Sequence, residues 1–289
     1  PDVEFEYEWI SVYTFQCRRL ERFRHGRIIY AGDSAHQVSP FGARGGNGGI
    51  QDADNLVWKL DLVLKGSAPE SLLDTYDLER GDAADENIAN STRATDFITP
   101  KNAASRAFRD AVLELAATHE FARRLGNSGR LSVPAVYDGT PLGTMDEAAD
   151  DAAFPMATRP GSAAIDAPVV VGDRDGWFLH ELGEGFTALW MLPEGGAPET
   201  ERAAAVRLGT HPVPIRVRTV AAAGAGEDAA DLLDRVGLLV RRYDLRPGTV
   251  YLFRPDQHVA ARFRAFDPEA LAAARDAAIG RGRGTGPLR

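Results

Sequence analysis

The 289-residue chain predicts a mixed α/β (α+β) protein. Three observations favour this class. A strand-like run, an acidic turn, a glycine-rich loop and a long helical pattern follow one another from Arg27 to Lys65. Aromatic and acidic side chains alternate from Val3 to Trp9, which is the period of a strand with one buried face. From Ala167 onward, short β-rich runs alternate with helical stretches, as in a layered domain.

The composition is that of an ordinary globular protein and excludes several functions. Its 33 basic and 42 acidic residues give a net charge of −9, so we predict no nucleic-acid or membrane partner. No apolar stretch is as long as a membrane span and the start is unlike a signal peptide, which predicts a cytoplasmic protein. Cys17 is the only cysteine, which excludes an internal disulfide and a dithiol motif, and we predict no metal site.

We expect a sheet before the glycine-rich loop. The run from Val3 to Trp9 predicts a strand, and Ile10 to Cys17 continues as β-rich sequence. The aromatic side chains of this sheet either form a core or line a substrate cavity. Arg27 to Ala31 predicts a short buried strand, which Gly32 and Asp33 end.

The loop from Ser39 to Gly49 contains one proline and five glycines, so its backbone can approach a flat ligand closely. A helix is expected from about Asn47 until Gly66 stops it, with acidic residues near its start and lysines near its end complementing the helix dipole. Its predicted buried stripe consists of Ile50, Ala53, Val57, Leu60 and Leu64. Because a helix start leaves N–H groups unpaired, loop and helix together predict a site for an anionic or electron-rich ligand.

The run from Gly32 to Leu60 resembles the class A FAD-dependent aromatic hydroxylases, which include para-hydroxybenzoate, phenol and 3-(3-hydroxyphenyl)propionate hydroxylase. The residues that carry the resemblance are Gly32-Asp33-Ser34-Ala35-His36, Pro40, Gly42, Gly45, Asn47, Gly49, Asp52-Ala53, Asn55-Leu56 and Trp58-Lys59-Leu60. Arg44 and Gly46 are not the residues most common at these positions in the family. His36 is interpreted mainly as a packing residue.

The resemblance implies a partial FAD-binding domain with a strand of the substrate sheet and long helices. It implies that Asp33 holds a ribityl hydroxyl of FAD, that Pro40 and Gly42 shape the pocket beside the flavin ring, and that the helix start faces the pyrimidine edge of the ring. The cofactor-binding residues predicted on this basis are Gly32, Asp33, Pro40, Gly42, Gly45, Gly46 and Asn47. Catalytic residues are left unassigned.

By resemblance, the intact enzyme uses NAD(P)H and O2 to hydroxylate a phenolic or other small aromatic substrate through a flavin C4a-hydroperoxide. The alternatives are a flavin-dependent halogenase or epoxidase, or a non-catalytic assembly module, and a homodimer is possible. Nothing before Arg27 supplies the G-x-G-x-x-G unit that binds the FAD pyrophosphate. We therefore expect the chain to be the carboxyl-terminal part of a longer enzyme and, alone, to bind FAD poorly and to be inactive.

Further helices are predicted after the loop. One runs from Pro69 to Arg80, with Leu72, Leu73 and Tyr76 on its inner face and Glu79 and Arg80 in polar contacts. Helical sequence continues until Thr99-Pro100 interrupts it, and another helix is expected from Lys101 to Leu125, ended by Gly126.

The predicted domains are residues 1–126, the FAD-binding and substrate part; 127–166, a surface linker; 167–280, a thioredoxin-like domain; and 281–289, a flexible tail. The expected strands are Ala167–Val171, Trp177–Leu182, Phe186–Leu192, Val213–Val220, Val236–Val240 and Thr249–Arg254, and the expected helices are Ala197–Leu208, Asp228–Leu233 and Pro268–Ile279.

The second domain resembles the thioredoxin-like carboxyl-terminal domain of phenol hydroxylase. The resemblance is carried by Tyr251 to Asp256 and Val259 to Arg262, which predict a hairpin with its turn at Asp256 to His258. Since thioredoxin chemistry needs two cysteines and this domain has none, the domain is expected to serve packing or subunit contact.

Overall fold

The computed structural model describes residues 4–126, 134–146, 154–193, 195–224 and 230–281. The chain divides into two units. The described residues of unit 1 are 4–21, 30–50 and 84–126, and those of unit 2 are 22–29, 51–83 and the described ranges from 134 onward. Among the described residues, no helix combines the length and the apolar character needed to cross a bilayer.

The amino-terminal stretch of unit 1 is not the predicted sheet. Residues 4–17 form no regular strand, and the side chains of Phe5 and Trp9 are each 73% exposed. A strand needs a neighbour that pairs its backbone groups, and no described strand pairs with this stretch, so alternation alone does not produce one. The first strand is β1 (Arg18–Arg19), which pairs antiparallel with β4 (His36–Gln37). Val3 lies outside the described residues.

The strand predicted from Arg27 to Ala31 is shorter and more exposed than expected. Only β3 (Ile28–Ile29) forms, and it pairs with β2 (Arg24–His25) in a two-stranded ribbon. Ile28 is 60% exposed, so the prediction of a buried strand is wrong. A two-stranded ribbon without a covering layer cannot bury its side chains.

Helix α1 spans Arg44–Leu64 and begins three residues before its predicted start. The predicted buried stripe is wrong, since Ile50, Val57 and Leu64 are 70%, 62% and 75% exposed. Ala53 is also exposed and Leu60 is half-buried. The buried side of α1 instead carries the polar Asp52, Asn55 and Lys59, each no more than 1% exposed, and Trp58, which enters the core. Polar side chains remain buried there because each one finds a hydrogen-bond partner.

The helices that follow α1 largely match the sequence prediction. A 3-10 turn at Glu70–Leu73 leads into α2 (Asp74–Ile98), which ends before Pro100 as expected. The predicted inner face of Leu72, Leu73 and Tyr76 is buried. The next segment forms two helices where one was predicted, α3 (Ala103–Ala116) and α4 (Glu120–Gly126). The break contains the β-branched Thr118, a weak helix former, whose hydroxyl lies 2.7 Å from the Nδ1 atom of His119.

Unit 2 is built on a seven-stranded sheet. Its strands are β5 (Pro168–Val171), β6 (Arg174–Trp177), β7 (Phe186–Met191), β8 (Ile215–Ala222), β9 (Leu232–Asp234), β10 (Val250–Phe253) and β11 (Val259–Phe263). The helices that follow β6 in the chain are α5 (Phe178–Glu181), α6 (Glu199–Leu208), α7 (Leu238–Tyr243) and α8 (Pro268–Ala278). The strand order is β11-β10-β7-β8-β9-β5-β6. Strands β7, β8 and β9 are parallel and the remaining pairs are antiparallel. This is the thioredoxin-like arrangement that the resemblance implied.

Three predicted elements of this domain have the wrong type. Trp177–Leu182 contains α5 and Val236–Val240 enters α7, although both were predicted as strands. A helix was predicted at Asp228–Leu233, but its last two residues belong to strand β9. Residues 228 and 229 lie outside the described ranges. Short apolar runs do not distinguish strands from helices by periodicity. Tertiary partners decide here, because the Asp234 carboxylate accepts hydrogen bonds from the backbone N–H groups of Leu238 and Val240.

The central strands of the sheet are buried on both faces. Every residue of β7 and β10 is buried, and successive side chains enter different core clusters. Helices α6 and α8, with Trp58 and Leu72, cover one face, while α5 and α7 cover the other. Part of the predicted linker lies along β11, where the N–H groups of Thr144 and Gly161 donate to carbonyls of that strand at 2.8 Å. These bonds satisfy backbone groups that an open sheet edge would expose. The tail beyond residue 281 lies outside the described residues.

Candidate cofactor site

The predicted site begins with a tight turn in unit 1. Gly32 adopts the left-handed conformation, with φ +58°, at the start of a 3-10 turn that ends at Ser34. The Ser34 hydroxyl donates to the Ala31 carbonyl at 2.7 Å and closes this turn. Asp33 is exposed and makes no hydrogen bond or ion pair with the residues that the structure describes. Its carboxylate is therefore available to accept a hydrogen bond from a ligand hydroxyl.

A second turn connects β4 to α1. The Ala43 N–H donates to the Pro40 carbonyl at 3.1 Å, and Gly42 and Ala43 have φ values of +102° and +52°. A backbone of this shape is strained for Ala43 and readily adopted by Gly42. Pro40 and Gly42 are exposed, so the turn presents backbone and few side-chain atoms on the surface.

The start of α1 supplies hydrogen-bond donors. Gly45, Gly46 and Asn47 were predicted in the loop, but they occupy the first turn of the helix. The N–H groups of a first turn have no partner within the helix and carry partial positive charge. A Cβ atom added to Gly46 would meet nothing within 4 Å, so a ligand can approach this backbone. The Asn47 side chain donates to the Ala43 carbonyl at 2.8 Å and fixes the entry to the helix.

Two further glycines bring the first turn and the helix start together. An added Cβ at Gly49 would lie 3.4 Å from the Cα of Gly32, and one at Gly48 would lie 3.2 Å from a ring carbon of His36. The contact at Gly48 is tighter than an ordinary van der Waals contact, and the one at Gly49 is at its lower limit, so the backbone approaches its neighbours closely here. His36 itself is 4% exposed, in keeping with its interpretation as a packing residue. The turn that carries Asp33 and the helix start therefore form one surface.

Hydroxyl groups hold the second turn against α2. The Ser39 hydroxyl lies 2.7 Å from that of Ser91 and 2.8 Å from that of Thr95. The Arg44 guanidinium donates to the side-chain carbonyl of Asn87. These contacts fix the loop between Ser39 and Arg44, so the site is positioned before any ligand binds.

The site fits the chemistry of FAD. The exposed Asp33 carboxylate can accept a hydrogen bond from the hydroxylated chain of FAD. The turn at Pro40 and Gly42 has few side-chain atoms and leaves space for the flat ring. The start of α1 favours the electron-rich edge of that ring. The assignment of Gly32, Asp33, Pro40, Gly42, Gly45, Gly46 and Asn47 as the residues that hold the cofactor stays a prediction.

Residues 1–91 match a family model described as "FAD binding domain". The chain is also 34% identical over 279 residues to 4-methyl-5-nitrocatechol 5-monooxygenase from Burkholderia sp, a match that covers 93% of the chain and 46% of that enzyme. The residues that match the family model make up about a third of the chain, and the relatives that it resembles are named as monooxygenases. The chain is 33% identical over 273 residues to 6-methylpretetramide 4-monooxygenase from Streptomyces rimosus, covering 91% of the chain and 46% of that protein.

The chain spans about half the length of the curated relatives it matches. Its fold is similar to the crystal structure of the flavin-dependent monooxygenase PieE in complex with FAD and substrate, with a TM-score of 0.73 and 23% identity. That match covers 94% of the chain and 50% of the PieE chain, and it concerns the fold.

Unit 2 contains a second polar cluster, which we call the Glu79 network: Asn55, Lys59, Glu79, Arg254 and Asp256. Arg254 donates to the Glu79 carboxylate at 2.6 and 3.0 Å, and Lys59 donates to it at 2.7 Å. Arg254 also donates to Asp256 through Nε at 2.9 Å. Asn55 donates to both carboxylates, at 2.8 and 3.2 Å. Two cations and two carboxylates are thus paired within a buried cluster.

Burial and charge pairing oppose each other in the pKa values of this network. Burial lowers the pKa of Lys59 to about 8, although the Glu79 carboxylate works in the opposite direction. Burial would raise the pKa of Glu79, but the charges of Arg254 and Lys59 outweigh it and hold that pKa below its ordinary range. The pKa of Asp256 is likewise held low, mainly by Arg254 against the effect of burial. The carboxylates therefore stay ionised at neutral pH.

A smaller pair lies beside the network. Arg80 donates to the Asp52 carboxylate at 2.7 Å and to the Tyr137 hydroxyl at 3.1 Å. Burial raises the pKa of Tyr137 to about 12, so this hydroxyl stays protonated. The sequence predicted polar contacts for Glu79 and Arg80, which is confirmed. It predicted no such contacts for Asp52 and Lys59, which it assigned to the helix dipole and to the family resemblance. The missed signal is the charged face of α1, which lies opposite its apolar stripe.

Proposed function

We propose that this chain works as part of an FAD-dependent monooxygenase that uses NAD(P)H and O2 to hydroxylate a phenolic or other aromatic ring. The observation that carries the proposal is the surface formed by the Asp33 turn and the start of α1, where the exposed Asp33 carboxylate shares a surface with the first-turn backbone of residues 45–47. The names of the two relatives support it, since each is a monooxygenase of an aromatic compound.

The residues of this site position the cofactor. Asp33 accepts a hydrogen bond from a hydroxyl of the cofactor chain, and Pro40 and Gly42 present a surface without bulky side chains to the ring. The N–H groups of residues 45–47 and the helix dipole stabilise negative charge at the edge of the ring. FAD, when bound, supplies the redox and oxygen chemistry. The groups that activate the substrate remain unassigned.

The thioredoxin-like domain has a packing role in this proposal. Its hairpin places Arg254 and Asp256 against α1 and α2 through the Glu79 network. Cys17 is the only cysteine and lies outside this domain, so the domain itself holds no thiol. The domain boundaries at residues 126, 166 and 280, and a homodimer of the complete enzyme, remain predictions.

The proposal is tested by assaying the chain together with the part of the Burkholderia relative outside the matched region. We expect bound FAD, NAD(P)H consumption that depends on an aromatic substrate, and a product that carries one atom from labelled 18O2. Candidate substrates are 4-methyl-5-nitrocatechol and 6-methylpretetramide, after the names of the two relatives. Consumption of NAD(P)H with a halogenated or epoxidised product would favour the other flavoenzyme classes, and failure to bind FAD would refute the proposal.

Asp33→Asn tests the site itself. A hydrogen bond to a charged group contributes roughly 1.5–3 kcal/mol, so we expect FAD affinity to fall about tenfold to a hundredfold. The matched control is Asp96→Asn, an exposed aspartate of the same unit that pairs with Lys101. Flavin fluorescence quenching measures both affinities. Equal affinities in the two variants would remove Asp33 from the site.

A further inference from the structure

Unit 2 contains a cavity of about 570 Å³. Trp58 and Leu62 of α1 line one side, and Phe186 at the start of β7, Val213 before β8 and Pro255 after β10 line the other. Cavities that hold small molecules measure roughly 300–1,000 Å³ and are mostly apolar with a few polar groups. This cavity therefore has the size and the walls of a small-molecule site.

The walls of the cavity are fixed before any ligand binds. The Glu79 network holds Lys59 of α1 and Arg254, which precedes Pro255 in the chain. Pro212 and Pro214 also line the cavity, and a proline ring fixes the φ angle of its own residue. A ligand that enters this cavity has little of the protein to order, which favours its binding.

The lining of the cavity carries excess negative charge. Asp54, Asp61 and Glu184 line it, and Lys65 is the one cation among its described lining residues. Lys65 donates to the Asp61 carboxylate at 2.9 Å, so these two charges offset each other. Asp54 and Glu184 make no hydrogen bond or ion pair within the described part of the chain. Two carboxylates are therefore available to a ligand.

The surroundings of Asp54 leave its charge incompletely compensated. Burial raises the pKa of this carboxyl group, and so does the negative charge of Asp256. His258, Arg254 and Arg80 act in the opposite direction and are outweighed. The two arginines already donate to carboxylates of their own. A cation in the cavity would offset the charge that these groups leave.

Trp58 adds a polar group of a different kind. The side chain lines the cavity and is 7% exposed, and its indole N–H has no hydrogen-bond partner among the described residues. Buried donors nearly always have a partner, so an oxygen atom of a ligand would supply what this wall lacks. Phe186 packs edge-on against the indole, with 6.1 Å between ring centroids, and the two rings form a wall suited to an aromatic ligand.

We propose that this cavity binds a small organic cation, an ammonium group attached to an aromatic body that carries an oxygen acceptor. The ammonium group pairs with the carboxylates of Asp54 and Glu184, and the aromatic body packs against Trp58 and Phe186. The same carboxylates repel anions, which gives the site its selectivity. None of these residues is among those predicted to hold FAD, so the proposal does not depend on the proposed function.

Tyramine is the probe, because it combines a primary ammonium group, an aromatic ring and a hydroxyl group. 4-Ethylphenol is the matched control ligand, since it keeps the ring and the hydroxyl group and lacks the ammonium group. Isothermal titration calorimetry with the 289-residue chain at pH 7 measures both affinities. We expect a dissociation constant of about 1 mM or less for tyramine. 4-Ethylphenol should bind about tenfold more weakly, because it makes no charged hydrogen bond.

Asp54→Asn and Glu184→Gln each remove one charge and keep the shape of the side chain. Each should weaken tyramine binding about tenfold and leave 4-ethylphenol binding unchanged. The matched control is Asp173→Asn, an exposed aspartate of unit 2 in the turn between β5 and β6, outside the cavity. It should leave both affinities unchanged. Because all three positions are exposed, circular dichroism should show the same thermal unfolding for each variant.

The indole N–H resonance of Trp58 locates the bound probe. In a 1H–15N correlation spectrum it should move with the tyramine concentration, while that of Trp177, 51% exposed and outside the cavity, should not. Trp58→Phe and Trp177→Phe assign the two signals.

Three results would overturn the proposal. Equal affinity for tyramine and 4-ethylphenol, or tyramine binding that ignores both carboxylate substitutions, contradicts a cation site. Tyramine binding that leaves the Trp58 resonance in place puts the ligand elsewhere. No binding at about ten times the expected dissociation constant refutes the site itself. Since none of these measurements involves FAD, each result leaves the proposed function to its own test.

Discussion

Replacing Glu79 by glutamine tests whether the Glu79 network stabilises unit 2. The wild-type carboxylate accepts hydrogen bonds from Arg254, Lys59, Asn55 and Thr140, and all of these donors are buried. Glutamine keeps the shape but removes the charge. Two buried cations then face one carboxylate, that of Asp256, and the cluster carries a net positive charge.

The expected loss follows from this uncompensated charge. Removing one partner of a buried ion pair reduces the free energy of unfolding by roughly 3–5 kcal/mol, a large part of the 5–15 kcal/mol typical of a domain. Lys59 can reduce this loss of stability by releasing its proton, because burial has already lowered its pKa to about 8. The deficit of Glu79→Gln should therefore shrink between pH 7 and pH 8 by about 1 kcal/mol.

Urea unfolding followed by tryptophan fluorescence measures this loss, since Trp58 and Trp190 are buried in unit 2 and Trp58 lies beside Arg254. The matched control is Glu70→Gln, which removes an ion pair with Arg24 whose glutamate side chain is 71% exposed. We expect the control to lose less than about 1 kcal/mol. If the two variants lose equal stability, the claim that the Glu79 network stabilises unit 2 is wrong.

Two further predictions concern α1. The pKa of Lys59 lies near 8 in the folded chain, and its ordinary value is 10.5. Between these pH values the unfolded chain binds more protons than the folded chain. The free energy of unfolding therefore rises with pH over this range, by about 3 kcal/mol. Lys59→Met should abolish that rise in urea unfolding at pH 8 and pH 10, whereas Lys65→Met, with an exposed side chain, should keep it. Gly48→Ala should lower the free energy of unfolding by roughly 1–3 kcal/mol, because the added methyl group would press against the buried His36 ring. Gly46→Ala should raise the free energy of unfolding by up to about 1 kcal/mol, because no atom lies within 4 Å of the added methyl group and alanine favours the helix. Calorimetry that gives both glycine variants the same sign would contradict this packing.

Local signals were enough where neighbours in sequence determine the structure. The inner face of α2 at Leu72, Leu73 and Tyr76 follows from helical spacing, and the hairpin between β10 and β11 follows from its turn residues. The turn that carries Asp33 could be located because glycine, acidic and apolar residues occur there in a specific order. Its role toward FAD stays a prediction until binding is measured.

Predictions failed where distant residues decide. The polar inner face of α1 depends on partners such as Asp256, which lies 201 residues from Asn55 in the sequence. No spacing rule within a helix contains that information. The alternating residues 4–9 required a neighbouring strand that no described residue provides. The start of α1 was placed at Asn47 because glycines favour loops on average, although the helix already includes Gly45.

The separation of Glu79 from Arg254 also has a consequence for synthesis. The two residues are 175 positions apart. At a translation rate of roughly 5–20 residues per second, Arg254 emerges from the ribosome about 10–35 s after Glu79, whose charge it neutralises. During that interval the first helices of unit 2 cannot complete their interior, so the nascent chain matures only when its last hairpin arrives.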